Sequence, residues 1–172
     1  MDDFKIKLGA INGGKNCFSF EIKDQFFEEF TLSDVEHANI KATALLDKEG
    51  DRLELTLTID GKINKLLCDI CIDEISVNIT AKTKAIIKTT DEDLVSTDEI
   101  FYVKTSENSI DLKQLLFELV ILNIPNKKQH TFNEDGSSNC NKEMLDLVNK
   151  YTITEEKSSD PRWDALKKLK IK

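Results

Sequence analysis

The feature that most constrains this chain is a two-residue alternation of apolar and polar side chains. Leu53, Leu55, Leu57 and Ile59 alternate with Glu54, Thr56 and Thr58 inside the segment 52–67. Successive side chains of a strand point to opposite faces, so the pattern demands a strand with one apolar face and one wet face. Strands of that kind build antiparallel sheets packed on one side only. Residues 39–48 read the same way, as does Ile75 to Thr89, which is rich in Ile, Val and Thr. Phe4, Ile6 and Leu8 alternate near the start, and Phe18, Phe20 and Ile22 alternate a little later. The turn signal Ile11-Asn12-Gly13-Gly14 between them predicts a hairpin of these two segments. Asp60-Gly61 reads as a tight turn or a bulge. Ile100 to Val103 predicts one more short strand.

Helical spacing takes over in the second half. Leu112, Leu115, Leu116, Leu119, Val120 and Ile124 form a broad apolar stripe, with Ser109 or Asp111 as cap and Pro125 as stop. Phe26, Phe27 and Phe30 read as core, and a short helix is expected near 142–149. The expected fold class is α+β, an antiparallel β-sheet, partly barrel-like, with a few packed helices. With 172 residues, one domain of this kind can bury a sizeable core. The expected division is a single α+β domain over 1–151, then a polar linker and a basic C-terminal helix over 152–172. Asp160 suits the N-cap of that helix and Pro161 its first position.

Charge narrows the function. The chain has 32 acids against 24 bases, a net charge of −8, which excludes a generally basic, RNA-coating protein. The charge is uneven: 91–99 holds five acids and no base, and 160–172 holds five bases and two acids. Any contact with RNA or a partner is therefore expected at Arg162, Trp163, Lys167, Lys168 and Lys170. Trp163 is the right residue to stack on a base; the plainer alternative packs it on the body while the lysines complete a solvated helix end. The most apolar stretch, Leu115 to Ile124, contains Glu118 and Asn123 and falls short of a membrane span. The first residues lack the basic and apolar regions of a signal peptide. A cytoplasmic location is the expectation, with thiols free or metal-bound rather than disulfide-bonded.

The strongest chemical signal is Cys68-x-x-Cys71 at a strand junction, where a tight turn brings two thiolates within reach of one ion. A structural zinc site wants four ligands. His130 and Cys140 share one polar loop after the Leu-rich helix, so the best-balanced set is Cys68, Cys71, His130 and Cys140, with Zn2+ as the cofactor. Such a site would staple the loop to the hairpin. Cys17 lies in an apolar strand and reads as a small core residue, and His37 reads as exposed. Bare core cysteines and a redox dithiol are the competing explanations. The β-type sequence after Cys71 speaks against the second, because redox C-x-x-C pairs sit at a helix N-terminus. Gly-rich phosphate loops, G-x-S-x-G and H-E-x-x-H are absent from the sequence.

The order of these motifs resembles the YceD family, the bacterial large ribosomal RNA subunit accumulation proteins. The resemblance rests on the C-x-x-C after a β-rich half and on the helix ending Leu119-Val120-Ile121-Leu122-Asn123-Ile124-Pro125. It rests also on the ending Asp160-Pro161-Arg162-Trp163-Asp164-Ala165-Leu166-Lys167-Lys168-Leu169, and it is clearest over 60–172. It implies a non-enzymatic role in accumulation of 23S ribosomal RNA precursor and in large-subunit biogenesis, through ribosomal RNA or ribosomal and assembly proteins. Many members carry a second cysteine cluster, C-x-x-x-C-x-G-L-C-x-x-C-G, after the helix. This chain keeps only His130 and Cys140 there, which with Cys68 and Cys71 still makes four ligands. The charge of −8 also supports a different class, an acidic adaptor that docks basic ribosomal or transcription proteins. A thiol enzyme using Cys68 and Cys71 is the third.

Overall fold

The computed structural model describes residues 4–30, 35–97, 99–135 and 137–152. The basic C-terminal segment, with Arg162, Trp163, Lys167, Lys168 and Lys170, lies outside them. The strands are β1 (Lys5–Lys7), β2 (Gly14–Lys23), β3 (His37–Glu49), β4 (Arg52–Leu67), β5 (Glu74–Thr90), β6 (Ile100–Lys104) and β7 (Ser109–Asp111). The helices are α1 (Asp24–Phe27), α2 (Lys113–Leu122) and α3 (Lys142–Tyr151). The fold is α+β. One sheet has five strands in the order β2-β3-β4-β5-β6, and β1 pairs with β7 in a separate two-stranded ribbon. The large sheet stays open, with β2 and β6 as its edges, and forms no closed barrel.

The alternation in the sequence sets which face is buried. Leu55, Leu57, Ile59 and Ile63 of β4 point inward, beside Ala42, Ala44 and Leu46 of β3, all at most 1% exposed. Small residues on one strand against large ones on its neighbour let the layer fill without voids. Phe26 and Phe27 of α1, Ile6 and Ile110 of the ribbon, and Leu116 and Val120 of α2 close the core from the other side. Each fully buried Leu, Ile or Phe contributes roughly 1.5–3 kcal/mol by leaving water. The Phe cluster is continuous: Phe26 packs edge-on against Phe4 and Phe27, and Phe30 stacks on Phe117 at 3.8 Å.

The structure departs from the sequence-based expectations in five places. Segments 3–8 and 17–22 do not form a hairpin. β1 pairs with β7 through Lys5↔Asp111 and Ile6↔Ile110, while β2 runs antiparallel to β3 from Gly14↔Lys48 to Lys23↔Asn39. The 3₁₀ turn Leu8–Ala10 ends β1 after three residues, too few to match the ten of β2. Asp60-Gly61 is neither turn nor bulge: the register with β3 runs unbroken through Asp60↔Lys41 and Gly61↔Ile40. Glycine is there because two backbones meet. A Cβ at Gly61 would lie 2.4 Å from the Asn39 carbonyl oxygen and 2.5 Å from Ile40 Cα.

The sheet is also not wholly antiparallel, because β6 runs parallel to β5 with Ile86↔Ile100 and Thr90↔Lys104. Parallel neighbours ordinarily need a crossover of about a dozen residues or more. Here the acidic segment after Thr90 folds back on itself. Lys104 Nζ holds Asp93 Oδ1 at 2.6 Å, and the Tyr102 and Ile100 amides donate to the Ser96 and Thr97 hydroxyls.

Cys17 is exposed, not core. It has the opposite parity to Phe18, Phe20 and Ile22, so the strand that buries them turns it outward. Cys17→Ser is expected to change stability by no more than about 0.5 kcal/mol, checked by the urea midpoint. His37 is partly buried, with Nδ1 3.3 Å from Asp24 Oδ2.

Candidate metal centre

Cys68 and Cys71 lie in the connection from β4 to β5, and the route to them begins with a backbone irregularity. The register of β4 against β5 shifts between Ile63 and Leu66, and Lys65 takes φ +56°. One extra residue reverses the in–out parity of a strand. Odd-numbered residues up to Ile63 face the core, whereas after the shift Leu66 and Cys68 are the buried ones. The bulge thus aims Cys68 inward.

The turn that follows is built around the Cys68 sulfur. Cys68 N–H donates to the Asp73 carbonyl, Ile72 N–H donates to the Cys68 carbonyl, and Ile70 N–H points at Cys68 Sγ from 3.5 Å. Ile72 closes the turn at φ +63°, a conformation an Ile adopts only when its surroundings enforce it. The loop after α2 is tied to this turn by reciprocal bonds. Asp69 N–H donates to the Lys128 carbonyl at 2.7 Å, and Lys128 N–H donates to Asp69 Oδ2 at 2.6 Å. Two residues on stands His130. The loop then pairs back at Phe132↔Ser138, and the Ser138 hydroxyl accepts the Cys140 N–H. Cys140 immediately precedes Asn141, whose side chain caps α3 by accepting Glu143 N–H at 3.0 Å.

All four predicted ligands therefore converge. The ligand atoms of Cys68, Cys71, His130 and Cys140 lie within 4.8 Å of one another, and the three cysteines are buried. Cys68 Sγ is 3.7 Å from Cys140 Sγ, and His130 Nδ1 is 3.5 Å from Cys71 Sγ and 3.7 Å from Cys140 Sγ. Bond lengths of about 2.3 Å to sulfur and 2.0–2.1 Å to nitrogen require tetrahedral edges of about 3.8 Å (S···S) and 3.6 Å (S···N). These three distances match those edges, so the donor set is compatible with one tetrahedral ion. Four protein ligands leave no open position on it, the pattern of structural rather than catalytic sites.

The electrostatics prepare the site. Burial pushes the Cys68 thiol up, but the Cys71 and Ile70 backbone N–H groups and His130 outweigh it and bring Cys68 to about 6. Burial raises Cys71, with the Cys68 and Cys140 thiols adding to the rise, against the Asn141 and Asp73 backbone. The thiolate that a cation needs is thus formed at Cys68 first. Because Cys68 is already largely ionised at pH 7, ion uptake there is expected to release less than one proton from Cys68, and the total release is expected to rise as pH falls through about 6. Calorimetry in buffers of different ionisation enthalpy, at about pH 7 and about pH 5, measures the change; a release that does not rise at the lower pH would show Cys68 already protonated at pH 7.

The sequence model of one family, described as large ribosomal RNA subunit accumulation protein YceD, matches residues 55–170. The chain belongs to the YceD family. The match begins within β4, so all four candidate ligands of this YceD chain fall inside it, while β1, β2 and β3 precede it. No curated protein and no solved structure gives a significant match. Among the described residues of this YceD chain, no helix is long and apolar enough to cross a membrane.

Reading the sequence selected the four residues that converge but missed what positions them. The bulge at Ile63/Leu66, the Asp69–Lys128 pair and the Asn141 cap carry no period or motif. Only Asp69, an acid between two cysteines, left a trace, and its partner is 59 residues away.

Proposed function

We propose that this protein is a non-enzymatic factor for accumulation of 23S ribosomal RNA precursor, and so for large-subunit biogenesis, acting by binding RNA or protein in the cytoplasm. Its Cys68, Cys71, His130 and Cys140 hold one zinc ion as a fixed scaffold. The observation that supports this reading is the convergence of three cysteines and one histidine, with ligand atoms within 4.8 Å of one another, in a chain of the YceD family. Zinc suits three sulfurs and one imidazole in tetrahedral array better than the harder divalent ions, which prefer oxygen. When bound, the ion supplies folding energy and no reactive water, because every position is taken. The chain's own part is to fix the loop 126–141 and the start of α3 against the β4–β5 connection. Depletion of the protein is expected to lower 23S precursor and 50S subunits together. A depleted strain with normal levels of both would overturn the proposal.

The exposed acidic segment around Asp91–Val95 favours a second reading, an adaptor for basic ribosomal proteins. Affinity capture that recovers RNA after stringent protein removal, with no basic protein, would reject it.

A further inference from the structure

The outer face of the sheet is crossed by two adjacent rows of side chains that contain no acid. One row runs Ser19, Thr43, Thr58, Lys82 and the other Cys17, Leu45, Thr56, Lys84, each across β2, β3, β4 and β5. In a chain with 32 acids this is an unusual clearing. Beyond it β5 presents Lys88, which lies beside Tyr102 of β6. From Ser76 to Lys88 the exposed face of β5 carries three lysines and no acid. None of Lys82, Lys84 and Lys88 is in an ion pair among the described residues. The flanking rows contain four acids, and three are already engaged. Glu21 holds Lys23, Glu54 holds Arg52, and Asp60 accepts the Thr80 hydroxyl.

We propose that this face, centred on Lys82, Lys84 and Lys88, binds the phosphate backbone of single-stranded RNA. It rests on the reading of the chain as a factor that acts by binding. Three lysines along one strand, the first two about 6.6 Å apart, form a line of cations that a continuous polyanion can follow. The Thr and Ser hydroxyls beside them offer neutral hydrogen bonds to phosphate and sugar oxygens. Tyr102, at the end of the line, offers a ring for stacking. The three lysines lie exposed along one strand, which suits an extended polyanion rather than an enclosed small molecule. RNA is favoured over an acidic peptide because the charges sit among hydroxyls and a tyrosine rather than around an apolar groove.

The test is fluorescence anisotropy of the full-length, zinc-loaded protein with a labelled twelve-residue oligouridine RNA over a range of salt. K82A/K84A is expected to weaken binding at least tenfold and to lower the salt slope by about 1.4, the value for two single-strand phosphate contacts. K7A/K142A removes the same charge from exposed positions off this face and is expected to weaken binding less than threefold. Circular dichroism and zinc content check that both variants stay folded. Equal losses in the two variants, or no RNA binding by the native protein, would overturn the proposal. So would displacement of the RNA by polyglutamate at equal charge concentration, which would assign the face to an acidic protein. If depletion still removes 23S precursor while K82A/K84A binds RNA normally, this face is wrong and the functional reading stands.

Discussion

Replacing Cys68 by Ser is expected to release the metal and to lower the thermal midpoint by about 10 °C, the combined effect of about 4 kcal/mol for an ion held a thousandfold above its Kd and about 2–4 °C per kcal/mol for a domain of this size. Three residual ligands and a buried hydroxyl do not complete a tetrahedron, and Cys68 is 1% exposed. The loss should be local. The strands of the large sheet bury their own core and need no ion. Apart from the ion, the loop 126–141 and α3 are held by the Asp69–Lys128 bonds and by Met144 and Leu145, which pack partly buried against the core. α3 buries no residue, and leaves Leu147, Val148 and Tyr151 exposed. Hydrogen exchange should therefore accelerate over 126–152 and stay slow over β3 and β4. Uniform acceleration, or none, would contradict the picture of the ion as a staple.

Gly61→Val is expected to cost about 3 kcal/mol or more, at the upper end of overpacking effects. The obstacle is backbone, the Asn39 carbonyl and Ile40 Cα, and no rotamer change removes it. β3 and β4 would have to part at the centre of the sheet, loosening ladder hydrogen bonds worth about 1 kcal/mol each. Because the clash begins at Cβ, Gly61→Ala should share most of the loss. A denaturant midpoint for Gly61→Ala within about 0.5 kcal/mol of the native protein would show that the strands are free to separate there.

These two sites mark what the sequence could reveal and what it could not. The period of two placed β3, β4 and β5 closely, since a strand buried on one face must write its orientation into every second residue. The Leu stripe and Pro125 placed α2 for a similar reason. Partners were harder. β1 found β7, about a hundred residues away, and nothing in a three-residue strand names its neighbour. The parallel β6 was hidden because its return depends on side-chain bonds inside the acidic loop, such as Lys104 to Asp93. Gly61 looked like a turn because a glycine needed for close approach is spelled like one needed for a positive φ. Cys17 reads as core by residue type, whereas its parity in β2 turns it outward.

The candidate metal centre shows the same division. Chemistry selected Cys68, Cys71, His130 and Cys140, since few other donors were available to complete four. Convergence across a 59-residue gap was not legible. It depends on a bulge that turns Cys68 inward and on hydrogen bonds between Asp69 and Lys128.

Zinc content of the full-length protein, purified without chelator, tests the central claim most directly. The account predicts one zinc per chain, lost when Cys68 or Cys71 is exchanged for Ser. A metal-free protein that remains fully folded, with 126–152 protected from exchange, would contradict it.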